Sequence, residues 1–195
     1  MKTVTTVMLV VALLIVAGCG KQENSAEEKG QPSASHTAPA PPSIGLHAAA
    51  AQGNLEAIRQ HIEAGSNLNE RDPEGGACPL STAALFGQTE VAMALIEAGA
   101  DVNFRGNDGA TPLHVAAFFC RTEIVKALLD KGADTSIKNN YGSTALEVVS
   151  APFDDVKGIY DHYGKILEPM GLKLDYERIK ATRPKIAEML RSTTS

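Results

Sequence analysis

Apolar residues recur through the middle of this chain in pairs of short segments with helical spacing. In one segment Leu113, Ala116 and Ala117 lie three and four residues apart, and Pro112 precedes them where the first turn of a helix accepts proline. A second set follows with the same spacing and with charged residues between its members: Ile124, Val125, Leu128 and Leu129. The pattern predicts a helix, a tight turn and a second helix.

This helix-turn-helix unit is repeated along the chain. Its leucine recurs at residues 46, 80, 113 and 146, so the steps are 34, 33 and 33 residues. Glycines recur in the same register after the second helix of each unit, where we expect them to end it in the left-handed conformation: Gly65, Gly99 and Gly132. One unit cannot bury its apolar face alone, so the repetition predicts an all-α solenoid of stacked units.

Two phrases within the repeats carry a family resemblance. Residues 111–114 are Thr-Pro-Leu-His, a phrase that recurs in altered form in the other units, and residues 99–103 are Gly-Ala-Asp-Val-Asn. With the period of 33 they resemble the ankyrin repeat. The resemblance implies an ankyrin repeat domain over residues 44–195, with helix-loop-helix repeats and short β-hairpin loops. The repeats are expected at 44–75, 76–108, 109–141 and 142–195.

The ankyrin resemblance also implies a function. Ankyrin arrays generally bind other proteins and do not catalyse, so we expect a non-catalytic protein–protein interaction module with a protein partner and no small-molecule substrate. The resemblance further implies that His47 and His114 are structural, each bonding a threonine and the neighbouring loop. His61, in the second helix of repeat one, is expected on a polar outer surface without a partner.

The last repeat departs from the pattern. Its first helix, at 144–149, runs into Ala-Pro, and the counterpart of the second helix appears only at residues 184–190. An insertion at 151–183 separates the two. Apolar residues at steps of 4, 3, 4 and 3 predict an amphipathic helix in it: Val156, Tyr160, Tyr163, Leu167 and Met170. Asp175 is expected to cap a separate short helix at 176–181.

The first residues carry a targeting pattern. The apolar run at 7–18 is too short to cross a hydrocarbon core of ~30 Å at ~1.5 Å per residue. Residues 16–19, Val-Ala-Gly-Cys, resemble the lipobox of bacterial lipoproteins, which implies a signal peptide at 1–18 and lipidation, including palmitate, at Cys19. Plain secretion and an uncleaved anchor are the alternatives. Gly20 resembles the signal for outer-membrane delivery.

Residues 19–43 form the predicted tether. They are rich in Pro, Ala, Ser and Glu and have no aromatic side chain, so they cannot bury enough surface to fold. Lipid on Cys19 would anchor the chain stably to a bilayer, since bacterial lipoproteins carry more than one acyl chain. These features predict a domain in the bacterial cell envelope, in the periplasm or at the cell surface, with the outer membrane favoured.

Charge and chemistry narrow the function further. The chain has 18 basic and 23 acidic residues, a net charge of −5, which argues against nucleic acid or an anionic lipid surface as partner. Cys78 and Cys120 are placed too far apart along neighbouring repeats for a bridge, so we expect two buried thiols. We expect no cofactor and no metal. The alternatives are a specific inhibitor of an exported enzyme, and an enzyme or metal-dependent factor built on Asp161 and His162 of the insertion.

Two groups of residues are candidates for partner binding. Leu85, Phe86, Phe118 and Phe119 occupy the positions before the end of an inner helix, which the resemblance assigns to the concave face. An open groove for a partner, coverage by the insertion and simple packing between helices all remain possible, and we expect the open groove. The second group lies at the hairpin tips: Phe104, Arg105, Asn107 and Tyr141.

Overall fold

The computed structural model describes residues 39–73 and 75–193, so Cys19 and the predicted signal peptide lie outside the described residues. Those residues form nine α-helices, one 3-10 turn at Glu168–Met170 and no strand. The helices are α1 (Leu46–Gln52), α2 (Leu55–Glu63), α3 (Pro79–Phe86), α4 (Thr89–Glu97), α5 (Pro112–Phe118), α6 (Thr122–Asp130), α7 (Ala145–Ser150), α8 (Phe153–Leu167) and α9 (Tyr176–Thr193).

The helices stack in two rows. The inner row runs α1, α3, α5, α7, and the outer row runs α2, α4, α6 and then α9. The core between the rows is made of the repeated leucines and alanines, among which Leu80, Ala83 and Ala116 are fully buried. No helix among the described residues is long and apolar enough to cross a membrane. The predicted all-α solenoid is confirmed.

The loops between repeats differ from the predicted β-hairpins. One backbone hydrogen bond closes the second loop, from Gly106 N to Ala110 O at 2.9 Å, and successive loops are joined by another, from Asn140 N to Asp108 O at 2.8 Å. No strand forms in these loops among the described residues. The chain enters the next inner helix, at Pro112, within two residues of the closing bond, so no ladder can extend.

Cys120 stands where the first two repeats use a glycine. Gly53 and Gly87 end their inner helices with φ of 72° and 75°, and Cys120 takes the same left-handed conformation with φ of 55°. Its buried Sγ lies 3.7 Å from the carbonyl oxygen of Ile179 in α9, a contact that glycine could not make. Burial raises the pKa of the Cys120 thiol to about 11. Cys120 and Cys78 are both buried and unbridged, as predicted.

Histidines join neighbouring segments. His114 accepts from the Thr111 backbone N at 3.2 Å through Nδ1, and its Nε2 donates to the Ser143 carbonyl at 2.9 Å. The structural role implied for it is confirmed. The prediction that His61 lies on a polar outer surface without a partner is wrong. His61 is buried, and its Nε2 bonds the Ile44 carbonyl oxygen at 2.8 Å. The segment before α1 passes over α2, and its carbonyl needs a donor there.

The end of the chain forms one helix where two were predicted. The Asp175 carboxylate caps it by accepting from the Arg178 backbone N at 3.0 Å, as expected. The helix then continues through Pro184, which removes one backbone hydrogen bond. Fully buried Ile179 and Ile186 lie on either side of this proline and pack on the same core, so tertiary contacts hold the helix together across it.

We predict that His114→Ala lowers the free energy of unfolding by about 1–3 kcal/mol, because the half-buried Ser143 carbonyl loses its hydrogen-bond donor. The matched control is His162→Ala, which removes an exposed imidazole from α8 and should change the free energy by less than about 0.5 kcal/mol. Urea unfolding followed by circular dichroism measures both. Equal losses for the two variants would contradict the role assigned to His114.

The stability of the wild-type protein should also depend on pH through His114. Burial lowers its pKa in the folded state, so the unfolded chain binds the proton more readily below its own pKa of about 6.5. Stability therefore falls as the pH drops below about 6.5, and His114→Ala removes that part of the slope. The measurement is urea unfolding at several pH values between 5 and 8 for both proteins, and a slope that is unchanged in the variant would refute the assignment.

Candidate functional site

The aromatic pair at the end of α5 lies under the insertion helix. The Phe118 ring stacks on Tyr160 of α8, with the ring centroids 4.5 Å apart. Phe119 is 3% exposed and meets the edge of Tyr163, with the centroids 5.4 Å apart. Aromatic pairs at these separations contribute beyond the area that they bury. The end of α5 is therefore part of an internal aromatic cluster.

The buried stripe of α8 follows the predicted spacing until the helix ends. Tyr160, Tyr163 and Leu167 are buried, and Leu172 continues the apolar contact after the helix. Met170, which the spacing also assigned to this stripe, is 39% exposed. The helix has ended at Leu167, and the 3-10 turn that follows has a shorter period, which rotates Met170 outward.

A buried arginine locks α8 to its neighbours. The Tyr160 hydroxyl donates to the Phe118 carbonyl and accepts from Arg183 Nη1 at 2.8 Å. Arg183 Nη2 donates to the carbonyls of Val148 and Ala151, at 3.0 and 2.9 Å, near the end of α7. Burial raises the pKa of Tyr160, so it stays protonated and can donate. The network joins α5, α7, α8 and α9.

Arg183 is the member of this network that the sequence pattern did not predict. Its side chain is 3% exposed, and it falls in the segment that the repeat pattern treated as an insertion. The available signal was Tyr160, because a tyrosine on a buried stripe needs a partner for its hydroxyl. That requirement did not say which polar residue would meet it.

Of the three alternatives for this apolar surface, the structure shows coverage by the insertion. Phe119 is buried and Phe118 is half-buried against α8, so the prediction of an open groove at these two residues is corrected. The physical reason is that the tyrosines of α8 fill the space over α5. Leu85 and Phe86, also assigned to a partner site, are half-buried at the margin of the same apolar cluster.

The hairpin tips remain accessible. Arg105 and Asn107 are exposed on the loop between the second and third repeats. Phe104 is half-buried, with the Arg71 guanidinium 4.6 Å from its ring centroid, a cation–π contact. Asn140 Nδ2 donates to the Asn107 carbonyl at 2.9 Å and ties this tip to the next loop.

Tyr141 belongs to the same edge. It is half-buried beside the loop that carries Asp108, and burial followed by the Asp108 charge raises its pKa. The backbone bond from Asn140 to Asp108 brings its loop against the preceding one. The structure therefore places the four tip candidates of the sequence on one edge formed by adjacent loops.

The polar residues of the insertion face outward. Asp161 and His162 are exposed, and the Asp161 carboxylate accepts from Lys157 Nζ at 2.9 Å. That bond lowers the pKa of Asp161. Residues 39–73 and 75–193 hold no group of three or more His, Cys, Asp or Glu side chains that could hold a metal ion.

Comparison with known proteins identifies the repeats. With its paired helices and linking loops, the fold is a helical-repeat solenoid. A family model of three ankyrin repeats matches residues 46–139, just under half of the chain. These residues are therefore ankyrin repeats, and α7 and α9 complete the stack beyond them.

The chain is similar to parts of several curated proteins. It is 41% identical over 59 residues to the human DNA-binding protein RFXANK, which covers 30% of this chain and 23% of the relative. It is 38% identical over 64 residues to human protein phosphatase 1 regulatory subunit 27, covering 33% and 41%. It is 36% identical over 61 residues to ankyrin repeat-containing protein P1E11.10 of Schizosaccharomyces pombe, covering 31% and 29%. The chain thus matches less than half the length of each relative.

Removing one hydroxyl group should test the lock on α8. We predict that Tyr160→Phe lowers the free energy of unfolding by about 1–3 kcal/mol, because the Phe118 carbonyl and one Arg183 nitrogen lose their buried partner. Tyr176→Phe is the matched control, since that hydroxyl bonds only the exposed carboxylate of Asp161 among the contacts described. Chemical denaturation of both variants measures the difference. A loss in Tyr160→Phe no larger than in the control would count against the lock.

Proposed function

We propose that this protein is a membrane-anchored, non-catalytic protein-binding module whose partner contacts the hairpin tips. The observation that carries the proposal is the contrast between the two candidate surfaces. Phe118 and Phe119 are occupied by α8, whereas Arg105 and Asn107 are exposed on an edge held in place by bonds between adjacent loops. Arginine at an ordered surface is frequent among the residues that dominate binding energy.

The ankyrin repeats and the relatives support a binding role. Ankyrin repeats form protein–protein interaction modules, and one relative is by its name a regulatory subunit of a phosphatase. Another relative is named as DNA-binding, but here acidic residues exceed basic ones by 23 to 18, which disfavours direct contact with DNA phosphates. A partner protein is therefore the ligand class that we propose.

The anchor is proposed from the sequence before the repeats. The Val-Ala-Gly-Cys phrase ending at Cys19 supports lipidation, and the Pro- and Ser-rich residues 19–43 support a tether between the lipid and the domain. The domain would then face the periplasm or the cell exterior, and Gly20 supports the outer membrane as its location. This arrangement would hold the binding edge near a membrane surface.

A charge reversal at the tip should weaken partner binding without unfolding the domain. The partner is first recovered by crosslinking from membranes and purified. We predict that Arg105→Glu then weakens binding of the partner at least about tenfold, because a cation at the contact with the partner becomes an anion. Lys126→Glu is the matched control, an identical charge change on the exposed side of α6. Calorimetry gives both affinities, and the proposal fails if Lys126→Glu weakens binding as much as Arg105→Glu.

Loss of the lipid attachment site should release the protein. We predict that Cys19→Ser moves the protein from the membrane fraction to the soluble fraction and leaves the signal peptide uncleaved, since acyl chains on Cys19 supply the anchor. Cys78→Ser is the control, because that thiol is buried in the repeats. Fractionation and mass spectrometry of the N-terminus measure the outcome. Retention of processed Cys19→Ser protein in the membrane would exclude lipidation as the anchor.

A further inference from the structure

The end of α8 and the segment that follows it, residues 165–173, present apolar side chains to solvent. We call this segment the α8 turn. Ile166 is 41% exposed and Met170 is 39% exposed, and Met93 is the third exposed large apolar side chain among the described residues. Pro169, beside Met170, is exposed as well. Exposed apolar residues that cluster mark an interaction surface, whereas an isolated one needs no explanation.

The α8 turn is held in a fixed shape by its inward-facing residues. Leu167 and Leu172 are buried in the aromatic cluster over α5. Two backbone hydrogen bonds close the turn, from Gly171 N to Glu168 O at 2.9 Å and from Leu172 N to Leu167 O at 3.1 Å. The outward residues are therefore presented by an ordered backbone, so binding through them does not have to order a loop.

The α8 turn lies towards the end of the solenoid at which the predicted tether joins the domain. Helix α8 starts directly after α7, the inner helix of repeat four. Its other end shares an apolar cluster with Leu85 and Phe86 of α3, in repeat two. Helix α3 packs on α1, the first helix after the tether. Helix α8 thus runs back along the stack towards repeat one.

The predicted tether limits how far the domain can move from a membrane. As a flexible coil, the chain between Cys19 and the domain would span roughly 25 Å. A domain confined within that distance meets the bilayer repeatedly, because the second contact of an anchored molecule is intramolecular. A contact through a few apolar side chains, too weak to hold an untethered protein on a membrane, is then sufficient.

Charge at the α8 turn differs from that of the whole chain. The net charge of −5 disfavours broad contact with an anionic bilayer. In the α8 turn, exposed Lys165 and Lys173 flank the apolar residues, against one carboxylate, that of Glu168. None of the three forms an ion pair among the residues that the structure describes. A lysine at such a position keeps its methylene stem on apolar surface and extends its ammonium group into the polar layer.

We propose that the α8 turn inserts into the headgroup region of a phospholipid bilayer. Ile166 and Met170 enter the boundary between headgroups and acyl chains, and the two flanking lysines meet lipid phosphates. The inference rests on the proposed lipid anchor, which keeps the domain within reach of the bilayer. The contact restricts the rotation of the tethered domain and so fixes the direction in which the hairpin tips face.

Two methionines of nearly equal exposure provide the test. Met170→Cys and Met93→Cys each receive a maleimide fluorophore in the lipidated protein, in which Cys78 and Cys120 are buried thiols. The protein is reconstituted on vesicles of phosphatidylcholine and phosphatidylglycerol whose acyl chains carry bromine, a contact quencher. The label at 170 should be quenched at least about twofold more than the label at 93, because only the first reaches the acyl boundary. Equal quenching at the two positions would overturn the proposal.

A charged substitution beside the label assigns the quenching to insertion. Ile166→Glu, added to the labelled Met170→Cys protein, should reduce the quenching at least about twofold, because a carboxylate resists entry into the acyl boundary. Met93→Glu is the matched control and should leave the quenching unchanged. Circular dichroism establishes that both variants are folded. An equal effect of the two substitutions would count against insertion of the α8 turn.

The same experiment separates this inference from the anchor on which it rests. Protein that does not float with the vesicles refutes the lipid anchor, and the insertion with it. Protein that floats without quenching at position 170 overturns the insertion alone. Protection of that label from iodide in native membranes, without quenching in pure lipid vesicles, would show a protein at the α8 turn and overturn the lipid contact.

Discussion

Close stacking of short helices governs this fold. Each inner helix meets its neighbour through alanines that have no exposed surface, such as Ala49, Ala83 and Ala116. A repeat with so small a face cannot be stable alone, so each repeat depends on the next. Side-chain amides fix the register between repeats: Asn69 accepts from the backbone N of Asp101 at 2.8 Å, and Asn103 makes the equivalent bond one repeat later.

The last repeat of such a stack must also have its apolar surface covered. Here aromatic rings and a buried arginine do this, in place of the alanine contacts between the other repeats. Phe118 and the tyrosines of α8 bring large rings to a surface where the other inner helices meet through alanine. The buried Arg183 then joins α7, α8 and α9 through hydrogen bonds to the Tyr160 hydroxyl and the Val148 carbonyl. Apolar contacts and buried hydrogen bonds therefore combine at the last repeat. The tyrosines of α8 fill the concave surface over repeat three.

This closure determines which surfaces are available for function. The edge with Arg105 and Asn107 stays exposed, and a hydrogen bond between adjacent loops holds it in place. The aromatic ring of Phe104 and the guanidinium groups of Arg71 and Arg105 give this edge the mixed chemistry that suits a protein partner.

The repeats could be predicted from the sequence because their signals are local and recur. A leucine every 33 or 34 residues, with glycine in register, is enough to set the helices and their stacking order. The stripe of α8 was likewise readable from spacing, up to the point where the helix ended and Met170 turned outward. The left-handed turn at Cys120 is part of the same register.

Other features were decided by tertiary structure. The burial of Phe119, the partner of His61 and the continuity of α9 across Pro184 each depend on a segment distant in sequence. Periodicity indicates which face of a helix is apolar, and it does not indicate what will cover that face. An open groove and a covered one have the same sequence pattern, and only the packing of α8 on α5 distinguishes them, because burial depends on the position of both surfaces.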